Sequence, residues 1–469
     1  MIPEFAIMGH PNEGKSSVLS TLAEDDSVRV SDTPGETRTC RSFPVTIDGK
    51  ELLRFTDTPG FQNPARVLAE LSSRMPTQSD PLRSFREFAA QIPELHDDRE
   101  LLAPLTQGAG IIYVVDGSRP VRHVDRMEME ILRLTGKPRM AIINNKENES
   151  RYLEDWKLEF RKNFNSSRTF NAHRATYAER IHLLEALKSI DQDWQQVLGE
   201  VVEAIKKDWS ARNKTSATII TSLLKDALSL SVLQEIGDAS QLTEKREKLL
   251  KRYNSKLGTL EKQAHQKLRN LYKHNIFDYQ LPPHSLLHTE ILDERSWQLL
   301  GMTKTQIALV GTLGGAAAGL GLDAATMGLS FGVFTALGGA LGGLGAIWGS
   351  DNLAGERKFL GIPLPSLGGE QLQLGPAQNI NLLFVLLNRS FLYYQHTINW
   401  AHGRRDYQPP TESRDEKDSG FTRSWSSANM QICQKLFRAV QKNGATHAEE
   451  EKMRELILET LDKISKSEG

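Results

Sequence analysis

At 469 residues the chain is too long for one hydrophobic core and should fold as two or three domains. Its 58 Lys and Arg against 59 Asp and Glu leave a net charge of −1, which excludes bulk electrostatic attraction to nucleic acid or to a strongly cationic partner. Two isolated cysteines, Cys40 and Cys433, exclude a disulfide framework and a thiolate metal site; with a mean hydropathy of −0.42 and no basic, apolar leader, the expectation is a cytoplasmic protein.

In chain order, residues 3–8 (PEFAIM) read as a short buried strand and 16–23 (SSVLSTLA) as the start of a helix. Between them runs Gly9-His10-Pro11-Asn12-Glu13-Gly14-Lys15-Ser16, which fits G-x-x-x-x-G-K-[ST] in its required strand–turn–helix setting. Glycines let successive backbone N–H groups turn inward around a phosphate, Lys15 neutralises its outer oxygens, and the Ser16 hydroxyl ligates Mg²⁺. Gly9, Asn12, Glu13, Gly14, Lys15, Ser16 and Ser17 are therefore the expected nucleotide cradle. After an unpatterned loop at 31–38 come two strand-like runs, 43–47 and 52–56, the second ending in Asp57-Thr58-Pro59-Gly60. In D-x-x-G the carboxylate holds a Mg²⁺-bound water and the glycine N–H senses a γ-phosphate. Residues 62–107 form a charged, intermittently helical insertion, which either reports the nucleotide state or pads the surface. The β-branched runs 110–115 and 140–144, separated by a helix-like 123–136, have the spacing of βαβ units in a parallel sheet.

The order of G-H-P-N-E-G-K-S at 9–16, T-P-G-E-T-R at 33–38 and D-T-P-G at 57–60 resembles the TrmE-Era-EngA-like branch of the TRAFAC GTPases. The resemblance implies that Lys15 contacts the β- and γ-phosphates, Ser16 and Thr37 ligate Mg²⁺, Asp57 acts through its water, and Gly60 is the switch II hinge. It also implies that Asn145-Lys146-Glu147-Asn148 stands where the family reads guanine with N-K-x-D, and that the Ala172 N–H in Phe170-Asn171-Ala172-His173 meets the guanine carbonyl. Asn148 replaces the expected carboxylate and offers one acceptor and one donor. Phe61 occupies the place of the water-orienting glutamine of many GTPases. Some members of the branch recruit K⁺ at the position of Asn12, so Asn12 either holds a monovalent cation or only shapes the loop. Slow hydrolysis is expected without a helper.

Beyond about residue 205 the pattern turns helical. Residues 218–236 read as an amphipathic helix and 242–277 as a longer one, with Leu250, Tyr253, Leu257, Leu260, Ala264 and Leu271 on an a/d seam broken at Lys267. From Glu244 to Lys273 there are ten Lys or Arg against three Glu, a face that either is simply solvated or attracts anionic lipid. Between Gly311 and Gly349 fall thirteen of the chain's 35 glycines, in two charge-free runs separated by Asp323. This segment, 303–350, is either a hairpin entering the inner membrane from the cytosolic side, contacting lipid or a membrane protein, or a glycine-zipped helical pair packed internally. Residues 358–375 look like two short strands about a Gly-Gly turn, 379–402 like an aromatic amphipathic helix, 403–420 like a polar linker, and 448–466 like a surface helix. This half resembles the uncharacterised C-terminal domain found behind Era-like GTPase domains in bacteria.

The expected architecture is an α/β P-loop NTPase domain at 1–205, a helical segment at 206–302, the glycine-rich hairpin at 303–350, and a mainly α-helical region with a short β-hairpin at 351–469. The expected activity is Mg²⁺-dependent GTP binding and hydrolysis, with GTP, GDP, Mg²⁺ and, through Asn12, K⁺ as cofactors. The alternative is a nucleotide-binding scaffold with negligible turnover. A homo-oligomer is left open, and nucleic acid ranks last as a partner because no KH-type clamp is present.

Overall fold

The computed structural model describes residues 2–10, 13–23, 39–47, 49–145, 151–171, 177–235, 242–272, 285–303, 306, 358–359, 362–363, 371–399, 420–442 and 446–466. The elements in the first half are β1 (Glu4–Met8), α1 (Lys15–Ala23), β2 (Arg41–Ile47), β3 (Lys50–Asp57), α2 (Pro64–Arg74), α3 (Pro81–Ala89), α4 (His96–Leu101), α5 (Ala103–Thr106), β4 (Gly110–Asp116), α6 (His123–Leu134), β5 (Arg139–Asn144), α7 (Leu153–Asn163), β6 (Ser166–Phe170) and α8 (Tyr177–Leu187). Among the described residues six of these strands form one sheet in the order β2-β3-β1-β4-β5-β6, parallel except where β2 meets β3. β1, β4 and β5 are near-continuous apolar runs because both of their faces are covered. Phe5, Ile7, Ile112, Val114 and Ile142 point to the side packed by α1 and α8, while Ala6, Met8, Tyr113, Val115 and Ile143 point to the side packed by α6, α7 and the insertion. Each large side chain so buried contributes about 1.5–3 kcal/mol.

The expected insertion is built of α2, α3, α4 and α5, and it shares the core on one face of the sheet: Val67, Leu71, Phe85, Leu95, Leu101, Leu102 and Leu105 are buried in one cluster with Ala6, Met8, Tyr113 and Val115.

α9 (Gln192–Ser229) is one continuous helix of 38 residues, so the helix expected at 218–236 begins 26 residues earlier and stops at Ser229. Its first turns bury Leu198, Val201, Val202 and Ile205 in the core of the sheet domain, and its later turns bury Ala217, Ile220, Leu224 and Leu228 in a second, helical core. Tyr177 of α8 stacks on Trp209 where the two cores meet, with centroids 3.9 Å apart.

The second core is completed by β7 (Val232–Glu235), α10 (Leu242–Leu271), α11 (Glu294–Leu300), β10 (Gln371–Leu374), α12 (Asn381–Ile398), α13 (Ser427–Gln441) and α14 (His447–Lys466), and the chain also forms the two-residue strands β8 (Lys358–Phe359) and β9 (Ile362–Pro363). Four sequence expectations are corrected here. β10 pairs antiparallel with β7, not with the 358–363 hairpin, because β8 and β9 pair with each other. The buried seam of α10 runs Leu249, Tyr253, Leu257, Glu261, Ala264 and Leu268 and continues to Tyr272 just past its end; Lys267 is exposed beside Leu268, so it does not break the stripe. α12 is buried on all sides rather than amphipathic. α14 is not simply a surface helix, since Met453, Leu456, Ile457, Leu461 and Ile464 pack into the core.

A buried ion pair links the two central helices of this core. Arg389 of α12 grips Glu261 of α10 through two bonds of 2.6 and 2.9 Å and donates to the Leu286 carbonyl at 3.0 Å. Burial alone would raise the Glu261 carboxyl, but the guanidinium outweighs it and holds the acid below its ordinary range. Residues 307–350, with Asp323, and the linker at 403–419 lie outside the described residues; among those described, no helix is long and apolar enough to cross a membrane.

Candidate nucleotide site

The candidate site sits at the carboxyl ends of β1, β3 and β5, where open α/β sheets place their ligands. Gly9 leaves β1 with φ +140°, and a Cβ there would lie 2.3 Å from the Val114 carbonyl oxygen, so only glycine lets the turn pass so close to β4. Gly14 closes the turn at φ +89°, and its carbonyl accepts from Val18 N at 3.0 Å, which starts α1. Lys15 Nζ donates to the His10 carbonyl at 3.1 Å, folding the side chain back over the turn. Burial pulls the Lys15 ammonium below its usual pKa, and the nearby carboxylates of Asp57, Glu128 and Glu13 oppose that.

Asp57 ends β3 directly beside Ile7 in the parallel register and is buried. The Thr58 hydroxyl donates to the Ile7 carbonyl at 2.7 Å, tying the start of D-T-P-G to β1. Phe61, just past Gly60, is 1% exposed and packs with Ala6, Met8 and Val67, so its ring belongs to the core. At the far end of the site the Asn144 amide donates to the Glu13 carbonyl at 3.2 Å, and Asn145 N donates to the Phe170 carbonyl at 3.0 Å. Asn145 Oδ1 is buried and accepts no hydrogen bond among the described residues. Ser16 and Ser17 lie in the first turn of α1. The structure thus brings together Gly9, Glu13, Gly14, Lys15, Ser16, Ser17, Asp57, Gly60 and Asn145, whereas Asn12, Thr37, Lys146, Asn148 and Ala172 lie outside the described residues.

Two side-chain networks beneath the turn escaped the sequence reading. Glu13, 3% exposed, accepts from Asp116 N and pairs with Arg119, whose guanidinium also donates to Asp125 at 2.9 Å. Asp125 caps α6 by accepting from Arg122 N at 2.7 Å, and Trp156 braces the group by donating its indole N–H to the Arg119 carbonyl at 2.8 Å. Burial pushes the Glu13 carboxyl up despite Arg119, while Arg122 and Arg119 hold Asp125 low against its own burial. In the second network Glu128 is fully buried between His10 Nδ1 at 2.9 Å and the Tyr113 hydroxyl at 2.8 Å. The signal in the sequence is the acid inside the phosphate turn: a glutamate there cannot be buried without a cation, and Arg119 and Arg122 are the basic residues just after β4.

Residues 4–146 match the family described as a 50S ribosome-binding GTPase. Residues 159–463, well over half the chain, match the family described as a domain of unknown function, DUF3482. The chain belongs to the DUF3482 family. In this DUF3482 member the N-terminal part is a P-loop GTPase domain of the TrmE-Era-EngA-like branch, followed by a mainly helical region. Its relatives include the probable GTP-binding protein EngB of Acidobacterium capsulatum, 29% identical over 143 residues that cover 30% of this chain and 58% of EngB. The tRNA modification GTPase MnmE of Chromohalobacter salexigens is 34% identical over 112 residues, covering 20% of this chain and 24% of MnmE. The DUF3482 member therefore spans little more than half the length of the first relative and about a quarter of the second. Among solved structures, a variant of Era from Aquifex aeolicus bound to GDP·AlF4⁻ is 16% identical, covers 58% of this chain and 89% of Era, and has a TM-score of 0.28.

Proposed function

We propose that the chain binds GTP and GDP with Mg²⁺, hydrolyses GTP slowly, and passes its nucleotide state to the helical half. The observation that carries this reading is the Gly9–Gly14 turn, which brings the N-terminus of α1, Lys15 and Asp57 together at one end of the sheet. In this reading Lys15 holds the β- and γ-phosphate oxygens and the Gly60 N–H meets the γ-phosphate. Ser16 and Thr37 ligate the metal and Asp57 acts through its water, a hydroxyl and carboxylate set that suits a hard cation. The ion, when bound, neutralises charge on the phosphates. Asn145, Lys146, Asn148 and the Ala172 N–H read the base, and the unclaimed Asn145 Oδ1 fits a site built for one more donor.

The buried ring of Phe61 cannot orient a water, which supports slow turnover assisted by a monovalent cation at Asn12. Single-turnover GTP hydrolysis by the purified chain is expected at about 10⁻⁴ to 10⁻² s⁻¹, faster in K⁺ than in Na⁺, with the difference lost in Asn12→Ala. Bound GTP that is not turned over would leave a nucleotide-binding scaffold in place of an enzyme.

Transmission to the helical half is supported by the Tyr177–Trp209 stack, since Tyr177 follows the candidate base-reading loop and Trp209 also meets Tyr272 edge-on at 5.1 Å. Association with the cytoplasmic face of a membrane through 303–350 is supported by the two charge-free runs alone. A carbonate wash of membranes from cells making the chain is expected to leave it in the pellet; complete release would mean that no stable insertion occurs.

A further inference from the structure

The four helices between Gly60 and β4 touch the chain just past the T-P-G-E-T-R and D-T-P-G motifs, and both contacts come from α4. Asp98 is fully buried, and its carboxylate accepts from Gln62 N at 3.0 Å, from Asn63 N at 3.1 Å and from the Asn63 side-chain amide at 3.5 Å. Among the described residues no Lys or Arg pairs with it. Two residues along α4, the Glu100 carbonyl accepts from Cys40 Sγ at 3.1 Å, where the chain leaves the T-P-G-E-T-R loop for β2. Asn63 adds a bond of 2.7 Å from its amide to the Glu94 carbonyl. Burial raises the Asp98 carboxyl and the Gln62 and Asn63 donors draw it partly back. A buried acid with no counter-charge is costly as a plain helix cap. Its whole complement of donors comes from the two residues that follow Phe61.

We propose that Asp98 is a positioning residue for switch II: it fixes the backbone leaving Gly60 so that the glycine N–H can meet a γ-phosphate, and makes the 62–107 insertion the reader of the nucleotide state. This rests on the GTPase reading given above. With the γ-phosphate present, the segment 60–63 and α4 form one rigid unit; on its loss Gly60 relaxes, and the displacement reaches α4 through Asp98 and the end of the T-P-G-E-T-R loop through Glu100 and Cys40. A role confined to folding would affect both nucleotides alike. Positioning affects only the triphosphate.

The test compares full-length wild type with Asp98→Asn, which keeps the size but turns one acceptor into a donor facing other donors. Affinity for GDP and for a non-hydrolysable GTP analogue is measured by titration, along with single-turnover hydrolysis and thermal unfolding. GDP affinity is expected to stay within about twofold of wild type while analogue affinity and the hydrolysis rate each fall about tenfold, near the loss of one hydrogen bond to a charged group. Equal weakening of both nucleotides, or no change in either, overturns the proposal. Should the variant fail to fold, hydrogen exchange at the Gln62 and Asn63 amides of wild type decides: protection is expected to differ between the GDP and analogue complexes, and equal protection overturns it. Wild type that takes up neither nucleotide removes the GTPase reading itself, whereas intact uptake with equal exchange removes only the role of Asp98.

Discussion

Replacing Lys15 by alanine is expected to weaken binding of GDP and of Mg·GTP by about two to three orders of magnitude, the usual result of truncating one side of a buried charge pair. The effect on folding should be small, because two terms oppose each other. The ammonium is held away from water, which disfavours its charge, while Asp57, Glu128 and Glu13 favour it. Removing the side chain relieves the first and forfeits the second, and the bond to the His10 carbonyl is worth about 1 kcal/mol. Calorimetric titration with each nucleotide, beside a thermal melt of both proteins, separates ligand from fold. An unchanged affinity would mean that the glycine turn does not hold a phosphate.

Arg119→Ala is expected to act in the opposite sense, costing about 3–5 kcal/mol of stability, because it strips the shared cation from two buried carboxylates. Glu13 would retain the Asp116 N–H and the more distant Arg122 guanidinium at 3.6 Å, and Asp125 the Arg122 contacts, but both would lose the closer Arg119 guanidinium. The penalty should depend on pH in a definite direction. The folded-state pKa of Asp125 lies below its ordinary value, so its contribution is fully present above about pH 4 and is lost as the pH falls through the folded value. Urea unfolding should therefore show a full gap between wild type and variant from neutrality down to about pH 4, narrowing only as the solution is acidified below that. A gap that is constant or widens on acidification would show that Arg119 stabilises by packing on Trp156, 5.4 Å from its guanidinium, rather than by charge. Combining Glu13→Ala with Arg119→Ala should recover part of the loss, since the double variant leaves one fewer stranded charge.

The sheet domain was largely legible because its signals are local. A phosphate turn between a strand and a helix occupies a dozen residues, and β4 and β5 announce themselves as uninterrupted apolar runs. α9 was read too short because its buried face carries Arg212, Asn213 and Ser216 where the apolar rhythm should continue. Asn213 and Ser216 are polar for reasons distant in the chain: Asn213 Oδ1 accepts from the Tyr272 and Tyr394 hydroxyls at 2.9 and 2.6 Å, its side-chain amide donates to Asp462 at 2.7 Å, and the Ser216 hydroxyl meets that of Tyr272 at 3.2 Å. Glu261 hid the register of α10 in the same way, since an acid on a buried seam makes sense only once Arg389 is opposite it. The pairing of β7 with β10 joins segments more than 130 residues apart, and no local pattern encodes such a partner. At the candidate site, the motif residues were visible, while the groups beneath them, Arg119, Asp125, Glu128 and Asp98, became apparent only from what each one touches.

The unbroken course of α9 has a mechanical consequence. Between Glu200 and Ser229 it contains neither glycine nor proline, so it has no built-in hinge where it passes from one core to the other. At 1.5 Å per residue, the stretch beyond Ile205 is about 36 Å long, and a tilt of about 10° at its base would swing its far end by roughly 6 Å. α9 is thus a single stiff rod with one end seated in each core, and any tilt imposed at its root would be carried along its whole length without being absorbed on the way.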